Sequence, residues 1–318
     1  MGKRHLVRKR PAAFAAAGLS LLLASASLPA AGIYQWRDAD GNLHFGDAPP
    51  EQEQAADLSS QYDNSLPFDV VIEGVDYGLP NALRDRIAVS VRKIFTIYEQ
   101  SLGVSHATDK EFRIVIYGTE AGYLAYQRKV APLLKESSAF YNSQNNQITT
   151  WGMREDALLQ VIIHECSHAI FGDQKRWIPT WLNEGLAEYF EPMHVFGLGA
   201  EIPAQQYWLR TLRQASYHRQ PAPDLLRYLN AGHQDWYTAN AGDSTLSYAS
   251  SWSLVYFMMD SQTGRTVLKA LLDRTLKSPV PLMDSAGFID QRWPGGLSAL
   301  RDDWQRWLAS TESDRHRY

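Results

Sequence analysis

The sequence predicts an α+β fold: a small mixed sheet with helices, then a mostly helical C-terminal lobe, preceded by a small β-hairpin module. Three observations carry this. Short β-branched runs at Phe68 to Ile72 and Phe112 to Tyr117 alternate with helical patterns in the first half. Long stretches at helical spacing, punctuated by proline and glycine, fill the second half. Alternating residues flank an Asp40-Gly41 turn near the start, a strong hairpin signal.

The first residues set the compartment. Lys3, Arg4, Arg8, Lys9 and Arg10 precede an Ala/Leu-rich stretch from Ala12 to Leu28 that ends in Ala30-Ala31-Gly32. This reads as a secretory signal peptide over residues 1–32, with cleavage near Gly32 or after Ala26. The alternative is an uncleaved membrane anchor, since the stretch approaches spanning length. The expected location is periplasmic or secreted, with no transmembrane segment after cleavage. Removing residues 1–32 takes away five of the 31 basic side chains and none of the 35 acidic ones, moving the net charge from −4 to −9. That balance gives no support to nucleic acid or an anionic membrane surface as a partner. The single cysteine, Cys166, excludes an intramolecular disulfide.

Residues 33–50 form the hairpin module. Tyr34-x-Trp36-x-Asp38-x-x-Gly41-x-x-x-Phe45-x-Asp47-x-Pro49-Pro50 resembles a short uncharacterised domain of exported bacterial proteins. A lone hairpin is marginally stable, so the module is read as an interaction unit that binds another protein, with Tyr34 and Trp36 as contact candidates. Residues 51–66 are polar and aperiodic and read as a linker. Residues 67–318 are read as one further domain.

Within it, Phe68 to Ile72 is a strand. Asn81 to Leu102 is an amphipathic helix, with Leu83, Ile87, Val91, Ile94 and Tyr98 on one face and Gly103 as its stop. Phe112 to Tyr117 is a strand and Gly122 to Val130 a short helix. Ala139 to Trp151 is a hairpin around an Asn/Gln-rich turn. Helices are expected next from Ala157 and from Thr180, the latter read as an N-cap after Pro179. Beyond Pro192 the chain reads as helical: Gln205 to Ala215, Asp224 to Leu229, Leu246 to Asp260, Arg265 to Leu276 and Leu297 to Leu308. Breaks fall at Pro221-Ala222-Pro223, Pro279 to Pro281 and Pro294-Gly295-Gly296.

The chemistry sits on the helix from Ala157, in His164-Glu165-Cys166-Ser167-His168. Histidines four apart share one helix face, with Cβ atoms about 5–6 Å apart, so both imidazoles can reach one ion. Leu158, Leu159, Val161, Ile162, Ile163, Ala169, Ile170 and Phe171 surround them. Burying two histidines and a glutamate in such company is costly unless they are paired or metal-bound. The other reading is a core helix with two satisfied histidines. A metzincin third ligand is excluded, because Phe171 and Gln174 stand where glycine and histidine are required. Glu184, Glu188 and His194 remain as candidates. On the second helix Glu184, Glu188 and Glu191 share a face, and Gly185 within that helix implies a close approach by other backbone. A thiol nucleophile at Cys166 is disfavoured by its place in a buried helix.

His164-Glu165-x-x-His168 followed by Asn183-Glu184-x-x-x-Glu188 resembles the gluzincins, the metallopeptidase clan of thermolysin and aminopeptidase N. Trp181-Leu182-Asn183-Glu184-Gly185-Leu186-Ala187 is similar to the W-L-N-E-G-F-A run of aminopeptidase N. The longer run to Glu188-Tyr189-Phe190 is similar to an uncharacterised bacterial domain family of the same clan. The resemblance covers about residues 110 to 260 and implies a zincin-like fold. It also implies one Zn2+ per chain held by His164, His168 and Glu184, with Glu165 as general base on zinc-bound water. Glu188 would hydrogen-bond His164 from outside the ligand set. Tyr248 would stabilise the oxyanion. The strand Ala139, Phe140, Tyr141, Asn142 would pair with substrate backbone. The implied function is an exported zinc peptidase acting on a peptide or protein of the cell envelope. Two alternatives stand beside it: a catalytically silent zincin-fold binding protein, and a zinc amidase acting on peptidoglycan peptides.

Overall fold

The computed structural model describes residues 34–37, 43–46, 55–57, 70–105, 111–172, 178–217, 224–237, 244–278, 282, 284–310 and 315–318. The signal peptide expected over residues 1–32 lies outside them. The chain divides into two compact units, Met1–Asp63 and Asn64–Tyr318.

The first unit holds a three-stranded antiparallel sheet. Strand β1 (Tyr34–Arg37) pairs with β2 (Leu43–Gly46), placing Tyr34 opposite Gly46 and Arg37 opposite Leu43. The expected hairpin is therefore present. Its other edge is taken by β3 (Ala55–Asp57), with Tyr34 opposite Asp57. This corrects the reading of 51–66 as linker throughout. Three residues, Ala-Ala-Asp, are too few to show alternation and have little intrinsic strand preference.

The second unit is built on a mixed four-stranded sheet in the order β4-β5-β7-β6. Strand β4 (Val70–Val75) runs parallel to β5 (Phe112–Tyr117), and residues 68 and 69 of the expected strand lie outside the described residues. β5 is an interior strand: Phe112, Ile114 and Ile116 are fully buried. It also runs parallel to β7 (Gln147–Trp151), the return strand of the hairpin begun by β6 (Ala139–Asn142). Asn146, at φ 50°, makes the turn, a conformation asparagine tolerates better than most residues. β6 is thus an edge strand.

Helix α1 (Asn81–Ile97) crosses between β4 and β5 and continues as a π-helical turn over Tyr98–Leu102. Gly103, at φ 67°, ends it where the sequence places the stop. Helix α2 (Glu120–Val130) begins at Thr119, whose side chain accepts from the Gly122 amide at 3.2 Å. Helix α3 (Glu155–Phe171) packs along β6 and β7 and carries the His-Glu-x-x-His pattern. Helix α4 (Thr180–Phe190) follows. Here Pro179 occupies the N-cap position and no side chain caps the helix, so Thr180 is its first residue rather than its cap.

Helices then dominate: α5 (Gln206–Tyr217), α6 (Leu225–Leu229), α7 (His233–Trp236), α8 (Ser244–Asp260), α9 (Gln262–Lys277), α10 (Ser285–Asp290) and α11 (Gly296–Ser310). The region beyond Pro192 is not wholly helical, however. Strands β8 (His194–Phe196), β9 (Gly199–Pro203) and β10 (Arg315–Arg317) form a second antiparallel sheet, ordered β10-β9-β8. Strands of three to five residues, one from a segment over a hundred residues away, leave no local period to read.

Helix α8 is the central strut of this half. Its residues from Ala249 to Met259 are buried, and it lies against α4. The approach is close: a Cβ on Gly185 would come 2.7 Å from the Ser251 carbonyl oxygen and 2.8 Å from the Val255 side chain. Ser251, whose carbonyl faces Gly185, is itself fully buried. The mid-helix glycine therefore has the packing reason expected of it. Among the described residues, no helix is long and apolar enough to cross a membrane.

Candidate metal centre

Helices α3 and α4 bring His164, His168 and Glu184 together. The two imidazole rings lie with centroids 5.0 Å apart and planes at 78°. Oε2 of Glu184 is 3.9 Å from Nε2 of His164 and 3.8 Å from Nε2 of His168. Two atoms can both ligate one zinc ion at about 2.1 Å only if they lie within about 4.2 Å of each other. Glu184 meets that condition with both histidines. The donor set, two imidazoles and one carboxylate, is also the chemistry zinc accepts in three-ligand sites.

The side chains behind these three hold them in place. Nδ1 of His168 is 3.2 Å from Oδ1 of Asn183, the residue before Glu184. Nδ1 of His164 is 3.2 Å from Oε2 of Glu191 and 3.8 Å from Oε1 of Glu188. Glu188 is itself fixed by Trp208, whose Nε1 donates to its Oε2 at 2.8 Å. Such contacts orient metal-binding histidines and fix their tautomers. The His164 hydrogen bond expected of Glu188 is made by Glu191 instead; Glu188, at 3.8 Å, lies beyond hydrogen-bond distance and acts on the ring through its charge.

The electrostatics favour a cation. Burial works against a charged His164, yet the bond to Glu191 and the charges of Glu188, Glu191 and Glu165 outweigh it, and the imidazole is pushed up to about 10. Burial also raises the Glu188 carboxyl, and the charge of Glu191 adds to this while His164 opposes it. A proton on His164 is the simplest positive charge these carboxylates can hold, and a divalent ion is a stronger one.

The remaining sequence candidates are placed as follows. Glu165 is partly buried on α3, and its charge is felt by the phenol of Tyr123 on α2. Tyr248 sits on the first turns of α8, edge-on to Trp236 with ring centroids 4.9 Å apart. Burial and then the charge of Glu184 raise its pKa, so it is a protonated donor. Ala139, Phe140 and Tyr141 are buried on β6 and Asn142 is half-buried, with Asn142 Oδ1 accepting from the Gln144 amide at 3.0 Å. His194, the third alternative for a ligand, is exposed on β8 and stands in neither of the His/acid clusters found among the described residues. Cys166 is buried, and burial raises its thiol well above the ordinary value. Ser167 shares a 2.5 Å hydrogen bond with the hydroxyl of Tyr98.

Four residues near the site carried no assigned role in the sequence: Asn183, Glu191, Trp208 and Tyr237, the last hydrogen-bonded to Tyr248. Asn183 and Glu191 lie on the ligand helix or at its end, where spacing alone marks them as neighbours of the site. Trp208 and Tyr237 arrive from other segments, and no local pattern announces them.

Two family models match this chain. One, a domain of unknown function (DUF4124), matches residues 20–67. The other, a protein of unknown function (DUF1570), matches residues 159–280, a span that contains the motif of α3, Glu184 and Tyr248. No curated protein matches the chain. The class defined by fold and site is an α+β protein with a candidate His-His-Glu metal site in its DUF1570-like region.

Proposed function

We propose that this chain is an exported zinc-dependent peptidase that hydrolyses a peptide or protein of the cell envelope. The observation that carries the reading is the placement of Glu184 Oε2 within 3.9 Å of both His164 Nε2 and His168 Nε2, with Glu165 between the two histidines on the same helix. A bound zinc ion would supply Lewis acidity, lowering the pKa of water to about 7. Glu165 accepts a proton from the attacking water and returns it to the leaving amine. Tyr248, kept protonated, donates to the oxyanion that develops on the carbonyl. β6, the outer strand of the β4-β5-β7-β6 order among the described residues, would be the strand to which an extended substrate adds. The sheet of the first unit is read as a module for binding a protein partner.

The test is digestion of a peptide library by the wild-type chain and by Glu165→Gln, with metal content measured in both. We expect about one zinc per chain in each and cleavage by the wild type alone. Equal cleavage by the two removes Glu165 as base. A folded chain that binds zinc, keeps Glu165 and cleaves neither peptides nor peptidoglycan stem peptides is a binding protein, and the enzymatic reading fails.

A further inference from the structure

His316 of β10 and Tyr318 just past it meet at a single hydroxyl of the ligand helix. Tyr189 follows Glu188 on α4 and is fully buried. Its hydroxyl shares hydrogen bonds with Nδ1 of His316 at 2.7 Å and with the hydroxyl of Tyr318 at 2.6 Å. His316 also stacks on Tyr256 of α8, with ring centroids 4.2 Å apart and planes at 24°, and its Nε2 lies 3.4 Å from Asp260 Oδ1. Burial keeps the phenols of Tyr189 and Tyr318 protonated, so each can donate.

A second route leads from the same strand to the same place. β10 pairs with β9, His316 opposite Ile202, and Tyr318 closes the pairing through two backbone bonds to Ala200 of 2.8 and 2.9 Å. Arg315 and Arg317 flank Glu201 at 3.1 and 3.0 Å. Just beyond β9, Gln205 donates to the Glu188 backbone carbonyl at 2.6 Å, and on α5 Trp208 donates to the Glu188 carboxylate. Glu188 is thus gripped from its sequence neighbour Tyr189 and from the segment that leaves β9.

We propose that β10 is a strap that positions α4, with Tyr189, His316 and Tyr318 as positioning residues that hold Glu184 and Glu188 in register with His164 and His168. The proposal rests on the metal-site reading given above. A strand that merely covered the core would need only apolar contact. Here the ring of Tyr189 already fills its buried site, and the two bonds at its hydroxyl fix where along the strap the helix sits.

The test uses the full chain with Tyr189→Phe, which keeps the ring and removes the hydroxyl, and Tyr318→Phe as the milder variant. Two readouts are taken at a temperature where far-UV circular dichroism shows both folded: amide hydrogen exchange over residues 187–191, and the zinc dissociation constant against a competing chelator. We expect faster exchange in both variants and zinc binding weakened about threefold to tenfold in Tyr189→Phe, at or below the low end of the loss when a side chain touching a ligand is removed. Unchanged exchange overturns the strap. Faster exchange with unchanged zinc binding also overturns it, since the strap then stabilises α4 without positioning the site. A wild-type chain that takes up no zinc fails the metal reading instead, and exchange alone then decides whether the strap holds α4.

Discussion

Nδ1 of His164 lies 3.2 Å from Oε2 of Glu191, a residue just past the end of the helix that supplies Glu184. One helix and its C-cap therefore hold His164 from both sides, through Glu184 at Nε2 and through Glu191 and Glu188 at Nδ1. This arrangement sets Glu184 on the Nε2 side of His164 and both Glu188 and Glu191 on its Nδ1 side, so the two sides are separable by substitution.

On the proposed zinc reading, replacing Glu184 with alanine would remove a ligand, whereas Glu188→Ala or Glu191→Ala would remove a charge or contact on the Nδ1 side of His164. Zinc affinity should fall most for Glu184→Ala, and by about 10–100-fold for the other two. Competition with a chromophoric chelator measures the order. A larger loss for Glu188→Ala and Glu191→Ala would mean that the ion sits on the Nδ1 side, where His164, Glu188 and Glu191 also lie close together.

The raised pKa of His164 gives a sign for pH. With its pKa pushed from 6.5 to about 10, the imidazole carries a proton through the neutral range. An ion bound at Nε2 must displace that proton, so binding weakens as pH falls. The apparent zinc affinity should drop on the order of tenfold per pH unit from about pH 8 to about pH 6. Calorimetry in buffers of different ionisation enthalpy should show about one proton released per zinc from this group. Binding that is flat with pH would mean His164 is not a ligand.

Gly185 sets two effects against each other. Alanine is favoured in a helix by about 1 kcal/mol over glycine. A Cβ here would sit 2.7 Å from a backbone oxygen of α8, which cannot rotate away. Overpacking of this kind costs about 1–3 kcal/mol. Gly185→Ala should therefore lower the urea midpoint despite the better helix former. It should also weaken zinc binding, because the displaced residue adjoins Glu184. A raised midpoint would mean α4 and α8 are not in close contact.

The parts of the site that were legible share one property: they are local. His164 and His168 are one turn apart, and Glu184, Glu188 and Glu191 repeat at helical spacing on the next helix, so sequence separation translates directly into distance. The glycine at 185 and the stop at Gly103 were readable for the same reason, since each is the requirement of a single backbone position. What was not legible depends on long-range pairing. Residues 199–203 meet 315–317 only through the fold, and Trp208 reaches Glu188 only because α5 folds back on α4. Helices α7 and α10, of four and six residues, are shorter than two helical turns and show no period.

The lone cysteine has a practical consequence. Cys166 lies on α3 between Glu165 and Ser167, wholly buried, and its thiol is held in the unreactive protonated form. A thiol reagent meets it only when the motif helix parts from the core. The rate of alkylation of the native protein therefore clocks the opening of that one helix, and a ligand that closes the site would slow the clock. The chain carries a built-in reporter on the helix of its candidate metal site, with no second sulfhydryl to confuse the signal.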